Sequence, residues 1–508
     1  MLLPLSLLCV FAWQAPAPAQ PSVPTPREKA IEVLNAAFDS APGAQPEVAA
    51  LALVRIGENL EAVDHKKALA ALTRAFDATP GIPPDQDGRR EFVQSLVAGA
   101  TVEVSLADAI DMLKRITVSA SVTDDPRHTA INAAVSRLLQ RSSGKNGADE
   151  AIELVNSVGV TGQYPFEAAR QIFEHLPADD VRRPAVFAYS LSAYTLRPSE
   201  AFGTFLVRHW KEIPRTTAEA AVRQVVETIL ALKDEGLNES LEAANGSLTL
   251  HGRRNVELFD LMQVVREIDP KRAAEILDRN PELKAALERF PGGREALGVV
   301  GNSSRSEGNV EPGGRGSDMG AALAQLEKVE EGTPEPQRLA KYLEIARAIK
   351  TPAVRLELLS SLVSGAAASD PVTARSLLSE CMELLKGSRD PALRSQVWAS
   401  LAEAAHQIHD DDLAREALDQ AFDDAALLVK LDLDPDEPNS GPRDMWPSTN
   451  AYRRIVISGV KMFGVNAETL LARVEDRDLN LFARVEMAQA LLDRPHHMWR
   501  NWSGKTLK

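Results

Sequence analysis

Only two cysteines occur in 508 residues, Cys9 and Cys381. Cys9 falls inside an apolar leader, which leaves Cys381 alone in the body of the chain. One thiol closes no intrachain disulfide, so helix or sheet packing has to hold the fold. Aromatic residues are also scarce, at 5%, which counts against a β-sandwich and suits close-packed helices rich in Ala and Leu. The formal net charge of -15 argues against a phosphate-neutralising face, which needs clustered Lys and Arg, so nucleic acid is not an expected partner. The chain also lacks a Gly-x-Ser-x-Gly elbow, a phosphate-cradling glycine loop and a Cys-x2-Cys pair. Gly313, Gly314 and Gly316 follow no strand pattern and read as linker.

What remains is ordinary globular material, 44% hydrophobic and 25% charged, which excludes wholesale disorder. Residues 1–13 are nearly all apolar but too few to span a bilayer. Ala17-x-Ala19 then supplies the small residues that a signal peptidase requires. The expectation is a signal peptide over residues 1–19, a mature chain beginning at Gln20, and no membrane span after cleavage. Two features bear on this reading. No Lys or Arg stands near Met1, and the bulky Leu8 before Cys9 argues against a lipid anchor. The expected location is periplasmic or secreted, in a bacterial cell envelope.

Residues 398–423 organise the rest. Trp398, Leu401, Ala402 and Ala405 recur at three and four; a polar corner of His409, Asp410, Asp411 and Asp412 follows; then Ala414, Leu418, Ala421, Phe422 and Asp423 resume the same period. That spacing predicts two amphipathic helices joined by a tight corner, with small Ala residues allowing close approach. An internal repeat is visible at the other end of the chain. The fifteen residues from Lys29 to Gly43 match those from Lys67 to Gly81 at eight positions, 38 residues apart. The Ala-x3-Leu-x2-Ala-Phe-Asp core returns at Ala414–Asp423, and more loosely at Ala374, Leu378 and Cys381. Helix starts are marked by Asp125-Pro126, Asp269-Pro270, Asn280-Pro281, Thr351-Pro352, Asp370-Pro371 and Asp390-Pro391: the first residue caps the orphan amides and Pro has none to leave open.

Periods of 38 to 40 residues mean stacked helical hairpins, and the residues 398–423 resemble a tetratricopeptide unit. The expected fold is therefore all-α, a tetratricopeptide-like α-solenoid in two arms joined by a flexible linker. Expected divisions are helical repeats over 20–178, a degenerate helical region over 179–290, a linker over 291–319 with eight Gly and four Ser among residues 291–318, repeats over 320–430, an acidic Pro-rich loop over 431–450 and a helical cap over 451–508. As random coil the linker would hold its ends roughly 30 Å apart.

Three places carry residues that could do chemistry. His406, His409 and Asp410 share metal-ligand spacing, but they occupy a corner where polar residues are expected anyway. Asp432-x-Asp434-x-Asp436 opens like a calcium loop, yet Glu437-Pro438 replaces its sharp Gly turn and Arg443 stands where the closing Glu belongs. His496 and His497 beside Trp499 and Trp502 form a possible contact spot near the chain end. No metal or cofactor is expected. The tetratricopeptide resemblance implies that Gln396, Ala399, Glu403 and His406, a stripe roughly 130° from the Trp398 stripe at 100° per residue, line the groove and touch a ligand. The expected function is an exported, non-enzymatic scaffold for a protein or peptide. An envelope hydrolase with an unrecognised site, or a structural spacer, are the alternatives.

Overall fold

The computed structural model describes residues 24–84, 88–116, 126–141, 145–159, 166–196, 200–232, 238–243, 246–293, 335–434 and 442–493, with four single positions between 322 and 329. The leader, most of the 291–319 linker, Asp436 and the tail from residue 494 onward lie outside them.

Side-chain caps open some of the helices: Asp269, Asp370 and Asp390 cap as expected, whereas Asn280 and Thr351 precede their helices without a side-chain cap bond. Thr25 accepts from the Glu28 amide while Glu28 answers to the Thr25 amide, a capping box that opens α1 (Pro26–Ser40). A 3-10 turn, Ala41–Gly43, leads to α2 (Pro46–Leu60), and Asp64 caps α3 (His65–Ala78), which ends in the matching 3-10 turn Thr79–Gly81. The chain continues through α4 (Arg89–Thr101), α5 (Leu106–Arg115), α6 (Pro126–Arg141), α7 (Lys145–Val158), α8 (Phe166–His175), α9 (Arg183–Leu196), α10 (Glu200–His209) and α11 (Arg215–Ala231). Two short antiparallel strands follow, β1 (Asn238–Ala243) and β2 (Gly246–His251), paired from Asn238 opposite His251 to Ala243 opposite Gly246. This hairpin is an addition to the purely helical expectation. Helices α12 (Arg253–Ile268), α13 (Pro270–Arg279) and α14 (Pro281–Arg289) complete the first half.

The second half holds α15 (Glu335–Ala348), α16 (Pro352–Ser369), α17 (Pro371–Lys386), α18 (Pro391–Gln407), α19 (Asp411–Asp432), α20 (Pro447–Phe463) and α21 (Arg477–Leu491), with a ten-residue 3-10 helix, Gly464–Arg473, after α20. Consecutive helices pair as hairpins: α2 with α3, α4 with α5, α6 with α7, α16 with α17, and α18 with α19. First helices also lie side by side, α16 beside α18 beside α20, and α2 beside α4 beside α6. Stacking in two layers is what buries a continuous apolar core in such an array.

Helix α21, near the end of the described residues, packs along α1, near their beginning, and also against α2 and α20. Helix α21 supplies the first helix, and α1 the second, of one composite hairpin that joins the halves. The glycines show the equivalence. A Cβ on Gly81, at the end of α3, would come 2.8 Å from Cγ of Pro46, the first residue of α2. A Cβ on Gly43, at the end of α1, would overlap the guanidinium of Arg477, the first residue of α21.

Among the described residues one segment, Pro447–Arg473, is apolar enough by composition to cross a membrane, with mean hydropathy 1.4 in its best window. It packs against α18, α19 and α21 and buries Arg453 in an ion pair, an arrangement proper to a core helix.

Candidate interaction surface

Helix α18 begins where the Asp390 carboxylate accepts from the Ala392 and Leu393 amides at 2.9 and 3.2 Å. Its Leu401, Ala402 and Ala405 are buried as expected, with Trp398 half-buried beside them. The second stripe behaves differently. Ala399 is 1% exposed and Glu403 only 9%, and the Glu403 carboxylate receives Lys461 Nζ of α20 at 2.8 and 2.9 Å. Side-by-side packing of α18 against α20 covers this face, so the four positions do not form an open, groove-facing stripe. Gln396 and His406 remain half-buried at its two ends. His406 Nδ1 lies 3.1 Å from Asp411 Oδ1, and its ring centroid lies 6.2 Å from that of Phe463.

The metal candidates resolve into helix ends. His409 takes the left-handed corner at φ 63°, a conformation that non-glycine residues adopt at turns. Asp410 caps α19 by accepting from the Leu413 amide at 3.2 Å. Asp432 is buried and accepts from the Ser448 amide at 2.9 Å, and Arg443 pairs with Asp478 at 2.7 Å. Among the described residues no three His, Cys, Asp or Glu side chains gather as a metal site. Cys381 is a core thiol that burial pushes up to about 12.

Sequence reasoning missed a charged cluster inside the composite hairpin. Arg55 of α2 pairs with Glu486 of α21, and Arg453 of α20 donates to the same carboxylate oxygen at 2.8 Å. Asp444, with no exposed surface, lies 3.5 Å from Arg55. Burial, reinforced by Arg55, holds the Arg453 guanidinium below its ordinary value. Nearby, Asp478 accepts from the Gln45 amide at 3.3 Å, tying the α1–α2 turn to α21. One signal was available: Arg55, Arg453 and Glu486 each sit within an otherwise apolar helical stripe, where an ionised side chain is costly without a partner.

Exposed apolar side chains concentrate at the end of α19. Leu427 and Leu431, one turn apart, and Leu433 just beyond are each about half exposed, with Asp423 and Lys430 exposed beside them. Among the described residues the other exposed large apolar side chains are Val181, Leu196, Val372, Met445 and Phe463.

The class that this fold defines is an all-α, tetratricopeptide-like helical-repeat array. No protein-family model matches the chain, and no curated protein matches it. Among solved structures, one titled "Circular tandem repeat protein with novel repeat topology and enhanced subunit contact surfaces" is 13% identical and is aligned over 91% of this chain and 98% of its own, with a TM-score of 0.18.

Proposed function

We propose that the chain is an exported, non-enzymatic helical-repeat scaffold that binds a protein or peptide partner in the cell envelope. The apolar leader followed by Ala17-x-Ala19 supports export. The observation that carries binding is the apolar end of α19: Leu427, Leu431 and Leu433 stand half exposed on an element whose opposite face is core. Leucines presented at helical spacing are how grooves and helix faces take apolar anchors of a peptide. The partner that fits is a segment with apolar anchors; Asp423 and Lys430 both flank the leucines, so a preference for Lys or Arg in the partner rests on the net charge of -15.

The test has two arms. Cells are fractionated and the N-terminus of the envelope form is sequenced, with Gln20 expected first. Material crosslinked to the wild-type chain is identified, purified and measured against wild type and a Leu427→Asp, Leu431→Asp variant. A loss of at least tenfold in affinity with retained helicity is expected. Equal binding by both chains overturns the surface, and a chain confined to the cytoplasm with its leader intact overturns the export.

A further inference from the structure

Helices α18, α20 and α21 run parallel. Between the first two, Glu403 meets Lys461 and His406 meets Phe463; between the second two, Arg443 meets Asp478 and Arg453 meets Glu486. Their C-terminal ends therefore share one rim. Phe463, the last residue of α20, is 39% exposed there, with the half-buried His406 ring as its aromatic neighbour. Past His406 the corner into α19 carries Asp410, Asp411 and Asp412, and Glu416 follows one turn on; Asp411, Asp412 and Glu416 are exposed. The rim is thus an apolar contact with an acidic border. Helix α19 runs antiparallel to α18, since Arg394 pairs with Asp424 and His406 with Asp411. This rim accordingly lies at the opposite end of α19 from Leu427, Leu431 and Leu433, and what binds it is independent of that surface.

The chain itself supplies a segment that fits. Phe463 stands ten residues past Arg453, and Asp493, the last described residue, seven past its partner Glu486, so the described chain ends about 5 Å along the axis from the level of Phe463. Asp493 is left-handed at φ 51°, as His409 is at φ 63° where the chain turns off α18, so the path leaves the α21 axis at the rim. Residues 494–508 hold Trp499, Trp502 and the cations Arg494, Arg500, Lys505 and Lys508, with no Asp or Glu, in a chain of net charge -15. Neighbouring helix axes lie about 8–10 Å apart, and six or seven residues span up to about 20 Å. That length carries Trp499 to Phe463 and Arg500 to the corner of α18. We propose that residues 496–502 dock across this rim of their own chain as a salt-sensitive latch, with Trp499 against Phe463 and His406. Arg500 takes Asp411, because Asp412 already faces Arg415 at 3.2 Å. Lys461 does not oppose it, being neutralised by Glu403. Aromatic rings supply the apolar area and prefer edge-to-face or offset contact, while the charge attraction between exposed groups is screened by salt.

The test places the photoreactive residue p-benzoylphenylalanine at position 463 of the full-length chain, irradiates it in about 10 mM and about 0.5 M salt, and maps the crosslinked peptides by mass. Crosslinks within one chain to residues 496–502 are expected, falling at least about fivefold at high salt and in an Arg500→Glu variant. Crosslinks between two chains, crosslinks only to other segments, or equal yields with and without Arg500→Glu overturn the proposal. A second measurement needs no foreign residue. Trypsin cleavage after Arg500 is compared between the folded chain and a synthetic peptide of residues 494–508. A latch closed four-fifths of the time slows cleavage about fivefold at low salt, and Phe463→Ala or Asp411→Asn, both at exposed positions, restores the rate of the peptide. Equal rates for chain and peptide at low salt overturn the latch, and this arm decides if the photoreactive chain does not fold.

Discussion

Arg55 and Glu486 are 431 positions apart in the chain and share a buried ion pair. Arg453 donates to the same oxygen from a third helix, so one carboxylate holds α2, α20 and α21 together. Replacing Glu486→Ala would leave two buried guanidinium groups without it, and breaking a buried pair from one side costs about 3–5 kcal/mol. The matching exposed pair, Lys386 with Glu383, makes the control: Glu383→Ala is expected to change stability by less than about 0.5 kcal/mol. Urea unfolding of both variants measures the contrast. Equal, small effects would mean that the cluster does not tie the ends of the chain.

Acid should act at particular helix starts. The Thr373 hydroxyl and the Thr373 and Val372 amides all donate to Asp370, which holds its carboxyl below the ordinary aspartate value. A depressed carboxylate adds stability that is fully present above its unfolded-chain value and disappears as pH falls through its lower folded value. Asp370→Asn is therefore expected to flatten the acid limb of the stability curve below about pH 4 while leaving the relative slope at neutral pH unchanged. A variant whose acid limb matches wild type would refute this role for the cap.

Cys381 offers a probe of opening. Its thiol is wholly buried on α17 and raised to about 12, so at neutral pH little thiolate forms and reagents have no path to it. Alkylation followed at the Cys381 peptide should be slow in the native protein and should track the unfolding rate as urea is added. Modification at the speed of a free exposed thiol would show that the helix around it opens far more readily than its packing implies.

The sequence made the hairpins legible because their cause is local. Asp-Pro pairs, the Ala-Phe-Asp core and the three-four spacing each act within one or two helical turns, and the helices start at Pro270, Pro371 and Pro391 under the caps those pairs supply; Pro281 and Pro352 also begin helices, but without a side-chain cap bond from Asn280 or Thr351. Two long-range facts escaped it. The 130° stripe on α18 looked free because nothing in that helix says what lies beside it; Lys461, 58 residues later, covers Glu403. The junction of α21 with α1 also has no local signature, because nothing within α1 says which helix lies beside it. The β1–β2 hairpin falls in the region expected to be wholly helical.

Gly57 on α2 is where the repeat's close helix approach is most exposed to test. A Cβ there would meet Leu72 Cγ of α3 at 2.7 Å and the Ala68 carbonyl oxygen at 3.3 Å, and both residues are buried. Two effects oppose each other in Gly57→Ala. Helix propensity favours Ala by about 1 kcal/mol, while overpacking a filled core costs about 1–3 kcal/mol. Because the carbonyl belongs to the backbone of α3 and does not swing aside, the steric cost should win, with a net loss of about 1 kcal/mol. Leu72→Ala alone should lose about 2–5 kcal/mol through the cavity it leaves. In the double variant the new methyl occupies part of that cavity, so the two losses should sum to less than their separate values, with a coupling of at least about 0.5 kcal/mol in a double-mutant cycle. Strict additivity would mean that α2 and α3 are not held at the separation that the glycine permits.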